Sequence, residues 1–425
     1  MAGRGRTTRR RAAGRWRPVR RRGVPGRAAV SLLGCLLVAS GCSAPDGPDG
    51  PDAATGEIQR TLDRRAGALV DRDETGYLAA VDPAAGGLLA AERRTYQNLT
   101  DVPVRSWEYE LRDVDRSGTR ATARAELRFR IAGYDSAPVS SARTLELTER
   151  DGRWYVSADR PGEDGVQQLW QQGPVDVVHG RRSLILGVGQ DNERLREIAA
   201  VADRAVPAVD EAWPGTWSGR VVVLVPGSVE SMAGLLGASA GSYRGIAAVT
   251  TGETRREGSS PADRVIVNPD AYGTLGDFGR QVVLTHETTH VATRTDTTDA
   301  TPMWLSEGFS DWVAYRDSGR VDGQAAPELQ RSLRRGELPA ALPGDGDFAF
   351  DAKAEELARA YEGGRLACEL IARRWGEEKL TDFYRAVGAH ERREGAVEDA
   401  MNEVLSVTPD AFAAQWRDYM RERLR

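Results

Sequence analysis

Between Arg120 and Ile131 the chain alternates strictly. Ala121, Ala123, Ala125, Leu127, Phe129 and Ile131 fall on one parity, and Arg120, Thr122, Arg124, Glu126, Arg128 and Arg130 on the other. A period of two predicts a strand with one dry and one wet face. Runs at 107–114, 143–147 and 154–156 extend it to an antiparallel sheet, with Asp151 and Gly152 as a hairpin turn. Upstream, Ile58, Leu62, Ala66, Leu69 and Val70 recur at helical spacing, which predicts one or two helices over 57–89. Helices followed by an antiparallel sheet make an α+β unit over 57–160. Its acids and arginines sit mostly on the polar side of strands and read as a solvated face. No catalytic cluster is expected there, and the unit is expected to bind, space or shield.

A polar stretch with Pro161, Gly162, Gly165, Gly173 and Pro174 at its two ends marks a boundary, read as a linker over 161–174. Beyond it the pattern changes. Short apolar runs at 175–178, 183–188, 221–225, 246–249 and 265–267 alternate with helical patterns such as 192–209, and everything after Leu275 reads as helix. A second α+β unit is therefore expected over 175–425, a mixed sheet leading into a mostly helical half. At 425 residues the chain is long enough for two substantial cores.

The first 41 residues carry eleven arginines and no acid, and end in an apolar run, 28–39, too short to be a permanent membrane span. They read as a secretory signal. Leu37-Val38-Ala39-Ser40-Gly41-Cys42 resembles the lipobox of bacterial lipoproteins, which implies a lipidated Cys42 and attachment to the outer face of the cytoplasmic membrane. The Pro-, Gly- and Asp-rich residues that follow are read as a flexible tether over 42–56. Loss of the signal leaves 47 basic against 63 acidic residues, a formal charge of -16 in place of -5. Such acidity speaks against a nucleic-acid partner. Only Cys42 and Cys368 survive this cut, so a lipidated Cys42 leaves no structural disulfide, and Cys368 reads as core.

The chemistry is concentrated in one stretch. Leu284-Thr285-His286-Glu287-Thr288-Thr289-His290 places two histidines four residues apart in a helical pattern beginning near Leu275. Residues at that spacing lie about 40° apart around the axis, so both imidazoles can face one metal ion, with Glu287 beside them to hold a water. The next segment, Pro302-Met303-Trp304-Leu305-Ser306-Glu307-Gly308-Phe309-Ser310-Asp311-Trp312, opens with a proline suited to a helix start and is strongly apolar. Burying Glu307 and Asp311 without partners would be costly, and a metal removes that difficulty.

His-Glu-x-x-His followed by Trp-Leu-x-Glu-Gly-Phe-x-x-Trp resembles the gluzincin metallopeptidases, in particular the peptidase MA-like family. The resemblance implies one Zn2+ held by His286, His290 and Glu307, Glu287 as general base, and Asp311 orienting His286. Ala360-Tyr361-Glu362-Gly363-Gly364-Arg365 resembles the segment that supplies a tyrosine for the tetrahedral intermediate, which makes Tyr361 a candidate for that role. Ser306 stands where many such proteins carry asparagine, so support of His290 from that position is not implied. Residues 57–160, helices then a sheet ending in Gly152-Arg153-Trp154-Tyr155-Val156, resemble NTF2-like or cystatin-like folds.

The expectation is thus an exported, lipid-anchored zinc metallopeptidase acting on a peptide or protein. Two alternatives stand beside it: an inactive envelope binding or scaffold protein that keeps a zincin fold, and a zinc hydrolase of a non-peptide amide. His179 and His390 read as ordinary surface or loop residues, and 317–350, rich in Gly, Pro and charge, as a lid or an excursion.

Overall fold

The computed structural model describes residues 51–163, 165–251, 263–319, 322–349 and 353–425. The signal, Cys42 and most of the tether lie outside them. Among the described residues no helix is long and apolar enough to cross a membrane.

The front part holds α1 (Pro51–Val70), α2 (Glu74–Leu78) and α3 (Gly86–Leu99), then β1 (Val104–Ser117), β2 (Arg120–Ile131), β3 (Val139–Arg150) and β4 (Arg153–Pro161). The four strands form an antiparallel sheet in chain order. The odd-numbered apolar side chains of β2 are all buried, as a period of two requires. Asp151 and Gly152 have φ of 49° and 73°, the positive values a two-residue type I′ hairpin needs. The first helix begins earlier than its stripe suggested, within the stretch read as tether. Ala54 extends Ile58, Leu62, Ala66 and Leu69 by one turn into the same core.

The solvated-face reading needs one correction. Arg65, Glu92 and Arg143 are buried and the Asp159 side chain is 5% exposed, with Arg65 Nη2 donating to Glu92 at 2.6 Å and Arg143 Nη2 to Asp159 at 2.6 Å. Tyr77 donates its hydroxyl to Glu92 at 2.5 Å. Balanced opposite charges and short hydrogen bonds between them make such burial tolerable between α1 and the sheet. Alternation along a single strand cannot show it, because the partners come from four separate elements.

Within the stretch read as a linker, the described residues include a buried pair. Leu169 and Trp170 are buried, and the Trp170 ring lies 5.2 Å from Phe129 and 5.7 Å from Trp107. Asn98 Nδ2 donates to the carbonyls of Trp170 and Gly173, both at 2.8 Å. The same apolar cluster runs on through Leu184, Leu186, Val222 and Ile266, so the front sheet and the next sheet share one core.

That second sheet is built from β5 (Val175–His179), β6 (Ser183–Val188), β7 (Val221–Val225), β8 (Ala248–Thr250) and β9 (Val265–Val267), in the order β5-β6-β7-β9-β8. β6, β7 and β9 run parallel, while β5 and β8 are antiparallel edge strands. All six residues of β6 are buried, as expected of a strand covered on both faces. The covering elements include α4 (Asn192–Ala212), whose buried residues pack with those of β6, β7 and β9. After α5 (Val229–Leu236) and α6 (Pro269–Gly273) the chain is helical: α7 (Asp277–Thr293), α8 (Met303–Tyr315), α9 (Asp322–Ala325), α10 (Pro327–Arg334), α11 (Ala354–Trp375), α12 (Glu377–Gly388), α13 (Ala396–Ala400) and α14 (Pro409–Arg423). The protein is therefore α+β, an antiparallel sheet with helices, then a mixed sheet, then a helical half.

Candidate metal centre

α7 packs against α4, β8 and α8, and it carries His286, Glu287 and His290. α8 begins after Pro302, whose ψ of 149° turns the chain out of the preceding loop and leaves Met303 as the first helical residue. The four-residue spacing on α7 and the entry of Glu307 from α8 bring three ligand-type atoms together. His290 Nε2 lies 3.0 Å from His286 Nε2, and Glu307 Oε2 lies 3.2 Å and 3.6 Å from the two nitrogens. The three residues form the one group of metal-ligating side chains found among the described residues.

Two imidazole nitrogens and a carboxylate oxygen at these separations are close enough to share one cation. A tetrahedral zinc with bonds near 2.0–2.1 Å sets its ligand atoms about 3.3–3.4 Å apart, and the observed distances bracket that value. The donor set therefore fits zinc. The same groups favour positive charge in the cluster, whether a proton or a cation supplies it. Burial pushes the His286 ring down, but its hydrogen bonds and charge interactions with Asp311 and Glu307 outweigh this and hold it well above the ordinary range. Burial would push Glu307 up, and the two histidines more than reverse this, holding the carboxyl well below the usual carboxylate range.

The surrounding side chains orient these three. Asp311, one turn beyond Glu307 on α8, lies with Oδ1 2.8 Å from His286 Nδ1. A proton on Nδ1 leaves the Nε2 lone pair facing the cluster. Ser310 Oγ lies 3.3 Å from His290 Nδ1. Ser306 is buried and faces the Tyr384 hydroxyl. Glu287 is 7% exposed, and the hydroxyl of Thr250 on β8 donates to its Oε2 at 2.7 Å.

Tyr361 lies on α11, about two turns in, with its ring 6.1 Å from that of His286 and 5.2 Å from that of Phe348. Phe348 belongs to the stretch read as a lid or excursion. It is buried in the helical core, and Asp345 beside it accepts from the backbone of Met303 at 2.9 Å. The described part of that stretch is thus fastened to the start of α8 and to Tyr361. Cys368 is fully buried and its thiol is a free one. His179 is exposed, and His390 bonds to Arg392 and Asp399 away from the cluster.

Sequence reasoning missed Ser310 and Thr250. Ser310 was within reach, since it lies twenty residues from His290 in the segment already singled out. Thr250 carried no signal, being one threonine of an apolar edge strand.

No family model matches the chain, and no curated protein does. Among solved structures it is similar to native yeast LTA4 hydrolase over 75% of this chain and 60% of that one, at 10% identity and a TM-score of 0.34. It is also similar to a mutant M1 zinc metallopeptidase from Deinococcus radiodurans bound to a Tyr-Ser-Ala substrate, over 72% and 62%, at 15% identity and a TM-score of 0.29. The chain spans about three fifths of each of these two. A shorter match, 27% of this chain and 77% of the other, joins it to a protein of unknown function from Mycobacterium tuberculosis at 17% identity and a TM-score of 0.22.

Proposed function

We propose that this protein is a zinc-dependent hydrolase of peptide bonds, exported and held at the outer face of the cytoplasmic membrane by a lipid on Cys42. The catalytic half of this reading rests on the convergence of His286, His290 and Glu307, buried and within 3.6 Å of one another through their Nε2 and Oε2 atoms. The anchoring half rests on the arginine-rich leader, the apolar run 28–39 and the small residues before Cys42.

In this reading His286, His290 and Glu307 hold the zinc. When bound, zinc supplies a Lewis acid that lowers the pKa of water toward neutrality. Glu287, adjacent to His286 in the chain, accepts the proton of the attacking water and delivers it to the departing amine. Asp311 keeps the proton of His286 on Nδ1, and Ser310 braces the His290 ring. Tyr361 donates its hydroxyl to the developing oxyanion, a preorganised donor worth about 10²–10³ in rate where such groups have been removed.

The test is metal content by mass spectrometry on the chain starting at Ser43, purified without added zinc, together with cleavage of a peptide library. About one zinc per chain is expected. Its loss is expected in His286→Ala and Glu307→Ala. Glu287→Gln is expected to keep the zinc and lose turnover. A well-folded wild type that takes up no zinc when zinc is supplied returns the protein to the binding or scaffold alternative. Zinc uptake with no peptide cleaved leaves the non-peptide amide.

A further inference from the structure

The geometry points to Thr250 as a positioning residue that sets the carboxylate of Glu287, and this rests on the reading of Glu287 as the base. Thr250 is fully buried at the end of β8, and its Oγ1 lies 2.7 Å from Glu287 Oε2 and 3.1 Å from the Glu287 carbonyl oxygen. A hydroxyl has one proton to donate. The shorter contact is to the charged acceptor, which forms the stronger bond. The neighbouring threonines behave differently. Thr288, Thr289 and Thr293 turn their hydroxyls back onto carbonyls four residues earlier in α7, so they serve their own helix. Thr250 reaches across from another element to a side chain.

What makes Thr250 suited to this is that its position is set without reference to α7. β8 pairs with β9 through Ala248 with Val267, Val249 with Ile266 and Thr250 with Val265. Just past it, Thr251 donates its backbone N–H to the Arg264 carbonyl, and Arg264 donates its own to Thr251 Oγ1, both at 3.0 Å. The Arg264 guanidinium is in turn gripped by Asp135, from the loop between β2 and β3, at 2.8 Å and 2.7 Å. Front sheet, β9 and β8 thus form a rigid frame against which the Glu287 side chain is held at one oxygen. The front unit acquires a part in the site through this frame.

The experiment compares wild type, Thr250→Val and Thr250→Ser, each as the chain from Ser43, by crystallography and by steady-state kinetics on a peptide the wild type cleaves. Valine keeps the shape and removes the hydroxyl, while serine keeps the hydroxyl. In Thr250→Val the Glu287 carboxylate is expected to leave its position by more than about 1 Å, with kcat down about 10- to 100-fold and KM within about twofold. Zinc content is expected to stay unchanged. Thr250→Ser is expected to restore carboxylate position and kcat to within about threefold. An unmoved carboxylate or an undiminished kcat in Thr250→Val overturns the assignment, as does a Thr250→Ser enzyme as slow as the valine variant. If Thr250→Val does not fold, Thr250→Ala against Thr250→Ser asks the same question, since they differ by one hydroxyl. Full activity in Glu287→Gln would remove the base reading separately, and the crystallographic comparison would still decide whether Thr250 sets that side chain.

Discussion

Gly308 and Gly364 meet where α8 crosses α11, so closely that a Cβ on Gly308 would lie 2.3 Å from the carbonyl carbon of Gly364. A Cβ on Gly364 would lie 2.6 Å from the backbone oxygen of Trp304. Only hydrogen fits on either side. Gly308 follows Glu307 directly, and Gly364 lies three residues beyond Tyr361, so this crossing sets how far two of the candidate site residues stand apart.

Gly308→Ala is accordingly expected to force α8 and α11 apart. The obstacle is backbone on both sides, which cannot rotate away, and overpacking of this kind costs about 1–3 kcal/mol or more. Denaturant titration should show the loss of stability, and zinc affinity should fall with it as Glu307 is displaced from the histidines. Unchanged stability would mean that the two helices are not held at this distance.

Asp311→Ala should leave all three metal-ligand candidates in place and free the His286 ring. Loss of a carboxylate that orients a ligating imidazole usually costs about 10- to 100-fold in metal affinity. Competition with a zinc chelator measures this, and an unchanged zinc dissociation constant would show that Asp311 does not orient His286.

Glu362, next to Tyr361, predicts a pH effect on stability. Burial pushes its carboxyl up to about 7, against the opposing pull of backbone N–H donors from Leu329 and Glu328; the Glu328 charge raises it further, while Arg365 draws it down. Because the folded value lies above the unfolded one, this group contributes stability below about pH 4.5 that is lost as pH rises through about 7. Glu362→Gln cannot titrate. The stability of wild type relative to this variant should therefore decline between pH 4.5 and 7, by at most about 3 kcal/mol, and level off above. Paired denaturation curves at pH 5 and pH 8 decide it, and a pH-independent difference would contradict the burial of this carboxyl.

Asp135→Ala removes the carboxylate of a buried ion pair. The side chains of Arg264 and Asp135 are exposed by only 9% and 1%, and breaking a buried pair from one side costs about 3–5 kcal/mol. Chemical denaturation should report that loss. kcat should fall as well if the β8–β9 frame carries Thr250, whereas a purely local effect would leave kcat of the folded fraction unchanged.

Much of this protein was already present in its periodicities. The alternation in β2, the apolar β6 and the four-residue spacing on α7 each follow from a rule that acts within one element, where 2.0 or 3.6 residues per repeat decides which side chains share a face. That is why a line of amino acids could place His286 and His290 on one side of a helix and give α8 an apolar side around Glu307. Relations between elements are of another kind. The buried ion network of Arg65, Glu92, Arg143 and Asp159, the packing of Trp170 into a seam read as a linker, the grip of Asp135 on Arg264 and the contact of Thr250 with Glu287 all join residues remote in the chain. They depend on strand order and on how closely helices cross, which no local period encodes. The helix, the spacing and the donor types follow from local pattern; the meeting of Glu307 with two histidines comes from the crossing of α7 and α8, because a distance of 3.2 Å across a gap of 21 residues is set by packing and not by the chain between.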